Sequence, residues 1–181
     1  KATLWGDQSQ RVLRIIREDD FAAPERNGTV RQQDINEEYI DMLASKITLG
    51  PRKVRVAADA GNGAASMFMR PFLERIGAEV HPLYDEPDGD FPNHHPDPTI
   101  RENLTDLIAT VRENGLDQGI GFDGDADRIG VVDDQGNVIW GDTLMALFWR
   151  EILPKHPGAT AIVEIKSSQA LVEEVERLGG K

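Results

Sequence analysis

The sequence predicts an α/β fold. Three observations point to it. Short apolar runs of strand length at 53–59, 80–84 and 116–121 alternate with segments of helical periodicity. Gly-bearing turns follow several of these runs, as at Ala60-Gly61-Asn62-Gly63. The runs 129–132 and 137–140 flank the turn Asp133-Asp134-Gln135-Gly136 and read as a β-hairpin.

Taken in order, residues 7–17 place Val12, Leu13, Ile15 and Ile16 among Gln and Arg, the pattern of an amphipathic helix with no obvious local partner. Residues 18–33 read as an acidic linker, or as a turn at Pro24 and Asn27-Gly28 with a short strand after it. Asp34 and Glu37 form a capping arrangement for a helix that carries Ile35, Tyr39, Leu43 and Ile47 on one face and ends near Gly50-Pro51. The strand at 53–59 runs into the Gly61-Asn62-Gly63 turn, and 64–76 is helical, with Pro71 predicting a kink or a helix start. That turn could present N–H groups to an anion at a helix N-terminus, or serve as a tight strand-to-helix turn; its spacing matches no phosphate-binding motif and favours the second.

After the strand at 80–84, residues 85–99 form a long loop stiffened by Pro87, Pro92, Pro96 and Pro98. His94-His95 within it invites a metal reading, but no third ligand stands at a helical or zinc-like spacing, which favours a structural loop. Leu104, Leu107, Ile108 and Val111 make a helical face that ends at Asn114-Gly115. Beyond the hairpin, 143–153 is a helix stopping before Pro154 and 159–165 a buried-type strand. Ser167 or Ser168 caps a last helix carrying Leu171, Val175 and Leu178. This final strand has no partner in the remaining sequence, so the chain reads as stopping mid-domain.

Composition narrows the function. With 181 residues and 39% hydrophobic content the chain can build one complete domain with a sizeable core, with pieces of neighbours besides. The formal charge of -12 argues against a nucleic-acid or anionic-membrane surface. The absence of cysteine excludes disulfides and thiolate metal sites and suits a cytoplasmic protein. No apolar run approaches a membrane span. The chain begins with Lys1, which reads as a piece of a longer protein.

The chemistry concentrates in Gly121-Phe122-Asp123-Gly124-Asp125-Ala126-Asp127-Arg128. Three carboxylates alternate with small residues between two apolar runs. In an extended strand they would stand roughly 6 to 7 Å apart, too far to share an ion whose oxygen ligands lie at about 2.1 Å. The loop must curl, and Gly124 and Ala126 leave room for it. Curling brings like charges together, which a hard divalent cation, Mg²⁺ first, would offset. A solvated turn is the plainer reading. An EF-hand is excluded, because its sixth and twelfth positions counted from Asp123 hold Arg128 and Asp134.

The same residues carry a resemblance. GFDGDADR is similar to the metal loop of the α-D-phosphohexomutases, and the chain as a whole resembles the bacterial phosphomannomutase/phosphoglucomutase branch. Further matches, in family order, lie at Asp59-Ala60-Gly61-Asn62-Gly63, at Asp88-Gly89-Asp90-Phe91-Pro92-Asn93-His94-His95-Pro96-Asp97-Pro98 and at Glu102-Asn103-Leu104-Thr105-Asp106-Leu107-Ile108. In many members Gly stands where Ala126 is. The resemblance implies four-domain proteins whose first three domains share an α/β fold with a mixed sheet between helices. Residues 1–32 would then be the tail of the first domain, 33–140 the second, and 141–181 the truncated start of the third.

It implies an intramolecular phosphotransferase moving a phosphoryl group between the 1- and 6-positions of a hexose phosphate through an enzyme phosphoserine. Asp123, Asp125 and Asp127 would hold Mg²⁺ against that phosphoserine. Arg128 would meet phosphate oxygens, or pair with the neighbouring acids. The phosphoserine loop, the sugar loop and an Arg-rich phosphate loop have no counterpart among these residues, so the chain alone is expected to be inactive without its missing domains. The pattern around 91–98 leans towards mannose and glucose phosphates. Two other readings, a nucleotide-sugar glycosyltransferase using Asp-x-Asp and a non-enzymatic Ca²⁺-binding module, leave the ordered matches unexplained.

Overall fold

The computed structural model describes residues 3–23 and 28–181, which form two compact units, Lys1–Asp34 and Ile35–Lys181. In the first, helix α1 (Asp7–Glu18) buries none of its residues, and Val12, Leu13 and Ile16 are exposed. It ends at Asp19 in the left-handed region, whose N–H reaches the carbonyl of Ile15. The predicted turn at Pro24 and Asn27 lies outside the described residues. The short strand predicted after it does not form. Val30 is 95% exposed, and an isolated extended segment has no neighbour to take its backbone hydrogen bonds.

The second unit is built on a mixed five-stranded sheet in the order β2-β1-β3-β4-β5. The strands are β1 (Arg55–Asp59), β2 (Glu79–Leu83), β3 (Gln118–Phe122), β4 (Ile129–Asp133) and β5 (Val138–Ile139). β1 runs parallel to β2 and β3, while β3–β4 and β4–β5 are antiparallel. The mixture follows from the connections. Parallel neighbours need a crossover, and helices α3 (Met69–Arg75) and α4 (Thr105–Asn114) supply it; antiparallel neighbours need only a turn.

Alternation along β1 divides the core into two layers. Val56 and Ala58 face Ala65, Met69 and Leu73, while Ala57 faces Leu104, Leu107, Val111 and Val132. β1 is buried on both faces, which explains its unbroken apolar centre. Small residues bring α4 close to the sheet: a Cβ on Gly119 would lie 2.9 Å from Val111 Cγ2. Helix α2 (Asn36–Ala44) lies beside α3, with Ile40 buried, Tyr39 edge-on to Phe68 at 5.2 Å, and Glu37 and Asp41 paired with Arg75. Among the described residues no helix is long and apolar enough to cross a membrane.

Several local expectations are corrected. The residue directly before α2 is Ile35, whose side chain makes no cap hydrogen bond. The helix ends at Ala44, well short of Gly50, because Ser45 turns its hydroxyl back to the carbonyl of Met42 at 2.7 Å and the following N–H groups bond three residues back. Over the helical stretch 64–76 a 3-10 turn (Ala64–Met67) is followed by α3, so a helix start falls two residues before Pro71, as expected. Pro71 stands in the first turn of α3, where an N–H has no intrahelical acceptor to lose. Helix α5 (Gly141–Lys155) does not stop before Pro154 but runs through it; the N–H of His156 still reaches the carbonyls of Ile152 and Leu153, so one missing donor near the end is tolerated.

Residues 159–165 are not a strand. Their regular contacts are two backbone bonds between Ala159, Ala161 and Lys181, and Ile162 and Ile165 are more than nine-tenths exposed. Of the two serines read as candidate caps, Ser168 starts helix α6 (Gln169–Arg177), its hydroxyl accepting the N–H of Ala170. α5 and α6 share a small core of Trp149, Leu153, Leu171 and Val175.

Glu174 fastens these two helices, accepting from Arg177 at 2.7 Å and from Arg150 at 2.6 Å. Arg177 first and Arg150 second pull its carboxyl from 4.5 down to about 2. A depressed carboxylate favours the folded state above its unfolded value and loses that contribution as pH falls through the folded one. Glu174→Gln should therefore melt below the parent at pH 7, with the two Tm values converging between about pH 4.5 and 2 in thermal scans.

Candidate metal centre

The acid loop spans 123–128, between β3 and β4, and is anchored by the Phe122–Ile129 pair of the ladder. Asp123 continues β3 inward and is 1% exposed. Its own N–H reaches the carbonyl of Arg128 and its carbonyl accepts the N–H of Ala126, closing a tight turn. The sharpest point of the curl is Ala126, at φ 63°, not Gly124. Left-handed backbone is disfavoured by a Cβ, so Ala126 holds a conformation that Gly would adopt at lower cost. The curl brings one carboxylate oxygen each of Asp123, Asp125 and Asp127 within 4.8 Å of one another. Among the described residues this is the one such cluster, and His94 and His95 join none.

The three acids are not equivalent. Asp123 is engaged on both oxygens. Oδ1 accepts the N–H groups of Asp127 (2.9 Å) and Arg128 (3.0 Å), and Oδ2 accepts Arg128 Nε at 2.8 Å. Burial pushes its carboxyl up, but the hydrogen bonds from the Arg128 backbone and side chain outweigh this and hold it below the usual carboxylate range. Asp125 and Asp127 are exposed. The charge of Asp125, then that of Asp123, pushes the Asp127 carboxyl up, against the weaker opposing pull of Arg128, whose Nε lies 3.6 Å from Asp127 Oδ1.

Arg128 pairs with three carboxylates, Asp123, Asp97 (Nη1 to Oδ1 at 3.3 Å) and Asp127 (Nε to Oδ1 at 3.6 Å), with half its side chain exposed. Asp97 in turn accepts the hydroxyl of Thr99 at 2.7 Å and its N–H at 3.0 Å, and these hold its carboxyl low.

The Gly61-Asn62-Gly63 turn packs against this loop and does not offer an anion site. Its N–H groups are used internally: Gly61 to Asp59 Oδ1, Asn62 to the Tyr84 carbonyl, Gly63 to the Ala60 carbonyl, and Ala64 to the carbonyl of Gly124. Gly63 is there for close approach, since a Cβ on it would lie 2.7 Å from that same Gly124 oxygen. The sequence reading missed Asp59, Asp97 and His94 as parts of this assembly. Asp59 is 1% exposed and lies 3.0 Å from His94 Nε2 across 35 residues of sequence, a pairing with no local signal. Beside the loop an apolar groove of about 600 Å³ is lined by Tyr39, Phe68, Met69, Phe72, Phe122 and Ala126.

Residues 37–136 match the family model described as phosphoglucomutase/phosphomannomutase, alpha/beta/alpha domain II. The chain belongs to the phosphoglucomutase/phosphomannomutase family. It is 41% identical over 179 residues to a phosphoglucomutase of Neisseria gonorrhoeae and 40% identical to a phosphomannomutase/phosphoglucomutase of Pseudomonas putida, covering 99% of this chain in each case. A crystal structure of a phosphoglucomutase/phosphomannomutase family protein from Burkholderia thailandensis superposes with a TM-score of 0.86 at 36% identity, over 98% of this chain and 38% of that one. The chain thus spans about 39% of the length of its curated relatives.

The donor set of this phosphomutase-family chain fits a hard divalent cation. It offers oxygen only, from three carboxylates whose mutual repulsion Arg128 offsets in part. Neighbouring ligands of an octahedral Mg²⁺ stand about 3 Å apart and opposite ones about 4.2 Å, so the three oxygens, within 4.8 Å of one another, would draw closer on sharing one ion.

Two substitutions test the construction of the loop. Gly63→Ala, which sets a Cβ against the Gly124 carbonyl, should cost about 1–3 kcal/mol in urea unfolding. Ala126→Gly, which removes the left-handed Cβ, should stabilise by up to about 1 kcal/mol in the same assay, the relief exceeding the added entropy of the unfolded chain.

Proposed function

We propose that this chain is the Mg²⁺-binding middle portion of a phosphohexomutase that interconverts the 1- and 6-phosphates of mannose or glucose. In this reading the phosphoserine lies outside residues 1–181 and the chain alone is inactive. The observation that carries the reading is the convergence of Asp123, Asp125 and Asp127 within the segment that matches domain II of this family. Residues 1–32 would close the first domain, 33–140 form the second, and 141–181 open the third.

The division of labour follows from the side chains. Phosphoryl transfer asks mainly for positioning and charge compensation. A bound Mg²⁺ would supply the compensation, drawing charge from the phosphoryl oxygens. Asp125 and Asp127, exposed and mutually repelling, would give it their carboxylates, and Asp123 would fix the ion's place because its own orientation is held by three hydrogen bonds. Arg128 would present the exposed part of its guanidinium to a phosphate while Asp123 and Asp97 hold its other donors. In keeping with this reading, the hydroxyls of Ser45 and Ser66 are turned to the carbonyls of Met42 and Tyr84.

Calorimetric titration with Mg²⁺ should show binding to the parent chain. Asp125→Asn should weaken it by more than about 10-fold, the loss typical of even an outer-shell partner at a metal site. Equal Mg²⁺ affinity in the two proteins would overturn the assignment of the loop, and tight binding selective for Ca²⁺ would favour a calcium module. Mutase turnover by the chain alone, measured with glucose 1-phosphate, would overturn the placement of the phosphoserine.

A further inference from the structure

Within five residues the segment 94–98 meets the Gly61 turn, Asp59, Gly124, Arg128 and the flanking strand glycines Gly121 and Gly130. Pro96 is wedged between two turns: a Cβ on Gly61 would lie 3.0 Å from Pro96 Cβ, and one on Gly124 would lie 3.4 Å from Pro96 Cγ. Asp97 holds Arg128. Pro98 covers the strands that flank the loop, since a Cβ on Gly130 would lie 2.8 Å from Pro98 Cβ and one on Gly121 3.8 Å from it. Pro96 and Pro98 are both buried. The segment is a strap across the acid loop, and its first residue is His94.

His94 is the strap's fixed end. Its Nε2 lies 3.0 Å from the buried Oδ2 of Asp59 and its Nδ1 lies 3.0 Å from the carbonyl of His95. Both ring nitrogens face acceptors, so both contacts are hydrogen bonds when the ring carries two protons. The other oxygen of Asp59 accepts the N–H of Gly61, so one carboxylate holds the strap and the Gly turn together. Tyr84 steadies the ring from the side, edge-on at 5.4 Å, with its hydroxyl donated to Asp106 at 2.6 Å. A buried Asp-to-His pair is a costly way merely to fill space, because leaving either partner unpaired is penalised. Its geometric product is that Pro96 lies beside Gly124, where a Cβ would be 3.4 Å from Pro96 Cγ, while the N–H of Ala64 holds the Gly124 carbonyl.

We propose that His94 is a positioning residue for the acid loop, acting through its hydrogen bond to Asp59 and the strap 94–98 to hold the turn that gathers Asp123, Asp125 and Asp127. The inference rests on the metal-loop reading for its functional meaning. Its mechanical content concerns the loop's backbone and is tested without metal, so its failure and that of the Mg²⁺ titration are separate results.

The experiment is site-resolved amide hydrogen exchange on the whole chain in metal-free buffer, comparing the parent with His94→Leu and His94→Gln. The reporting amides are Ala64, bonded to the Gly124 carbonyl, and Asp127 and Arg128, bonded to Asp123. Leu116 and Asp133, bonded to Val111 and Asn137, report on the fold away from the strap. In His94→Leu the three reporters should exchange roughly 10-fold faster or more, as expected for loss of a buried hydrogen bond to a charged group. Leu116 and Asp133 should stay at the parent rate. His94→Gln, whose amide can donate to Asp59, should recover most of the protection. Unchanged reporters in His94→Leu would overturn the inference. So would acceleration shared by Leu116 and Asp133, which would make His94 a general stability residue, or a Gln variant no better than Leu.

Discussion

The acid loop depends on one buried carboxylate. Asp123 is the first residue beyond β3, inside the protein, and three donors converge on it from residues four and five positions ahead. These bonds turn the chain back on itself at the point where it would otherwise run straight. They also decide where Asp125 and Asp127 stand. A carboxylate buried without such donors would shed its charge; with them it stays ionised and keeps the local backbone in a conformation that crowds two further negative charges beside it. The repulsion so created is what a cation would relieve.

The surroundings follow from that requirement. A loop carrying like charges in close quarters needs restraint from outside, and the fold supplies it by close backbone approach. Gly63 admits the Gly124 carbonyl to the Ala64 N–H, and Gly61 and Gly124 admit Pro96 from opposite sides. The prolines stiffen the long connection between β2 and α4 so that it acts as a strap, and Asp97 on that strap captures Arg128. Arg128 thus neutralises Asp123 while half of its side chain remains exposed.

Much of the architecture was legible in the sequence, and the reason is periodicity. The apolar runs of β1, β3 and β4 and the helical face of Leu104, Leu107, Ile108 and Val111 are local patterns, and each forms where it was read. Local chemistry also marked the cap at Ser168 and the hairpin turn at 133–136. The misreadings share a cause. Whether 159–165 or the segment around Val30 becomes a strand depends on a neighbour, which periodicity does not report. The early end of α2 depends on a serine hydroxyl competing for a carbonyl, and the passage of α5 through Pro154 on how near the helix end the missing donor falls.

The sequence by itself determined the chemistry of the candidate site: three carboxylates and an arginine at fixed spacing, in a loop between strands, with small residues between them. That is so because all four belong to one short segment whose spacing is covalent. Only the tertiary structure decided how the segment is held. The left-handed turn falls at Ala126, the Gly61-Asn62-Gly63 turn spends its N–H groups on packing, and Asp59, His94 and Asp97 join the loop from 26 to 64 residues away in sequence. Those contacts arise from parallel strand order and a crossover, which place the end of β1 beside the end of β3. A crossover joins residues that no local pattern relates.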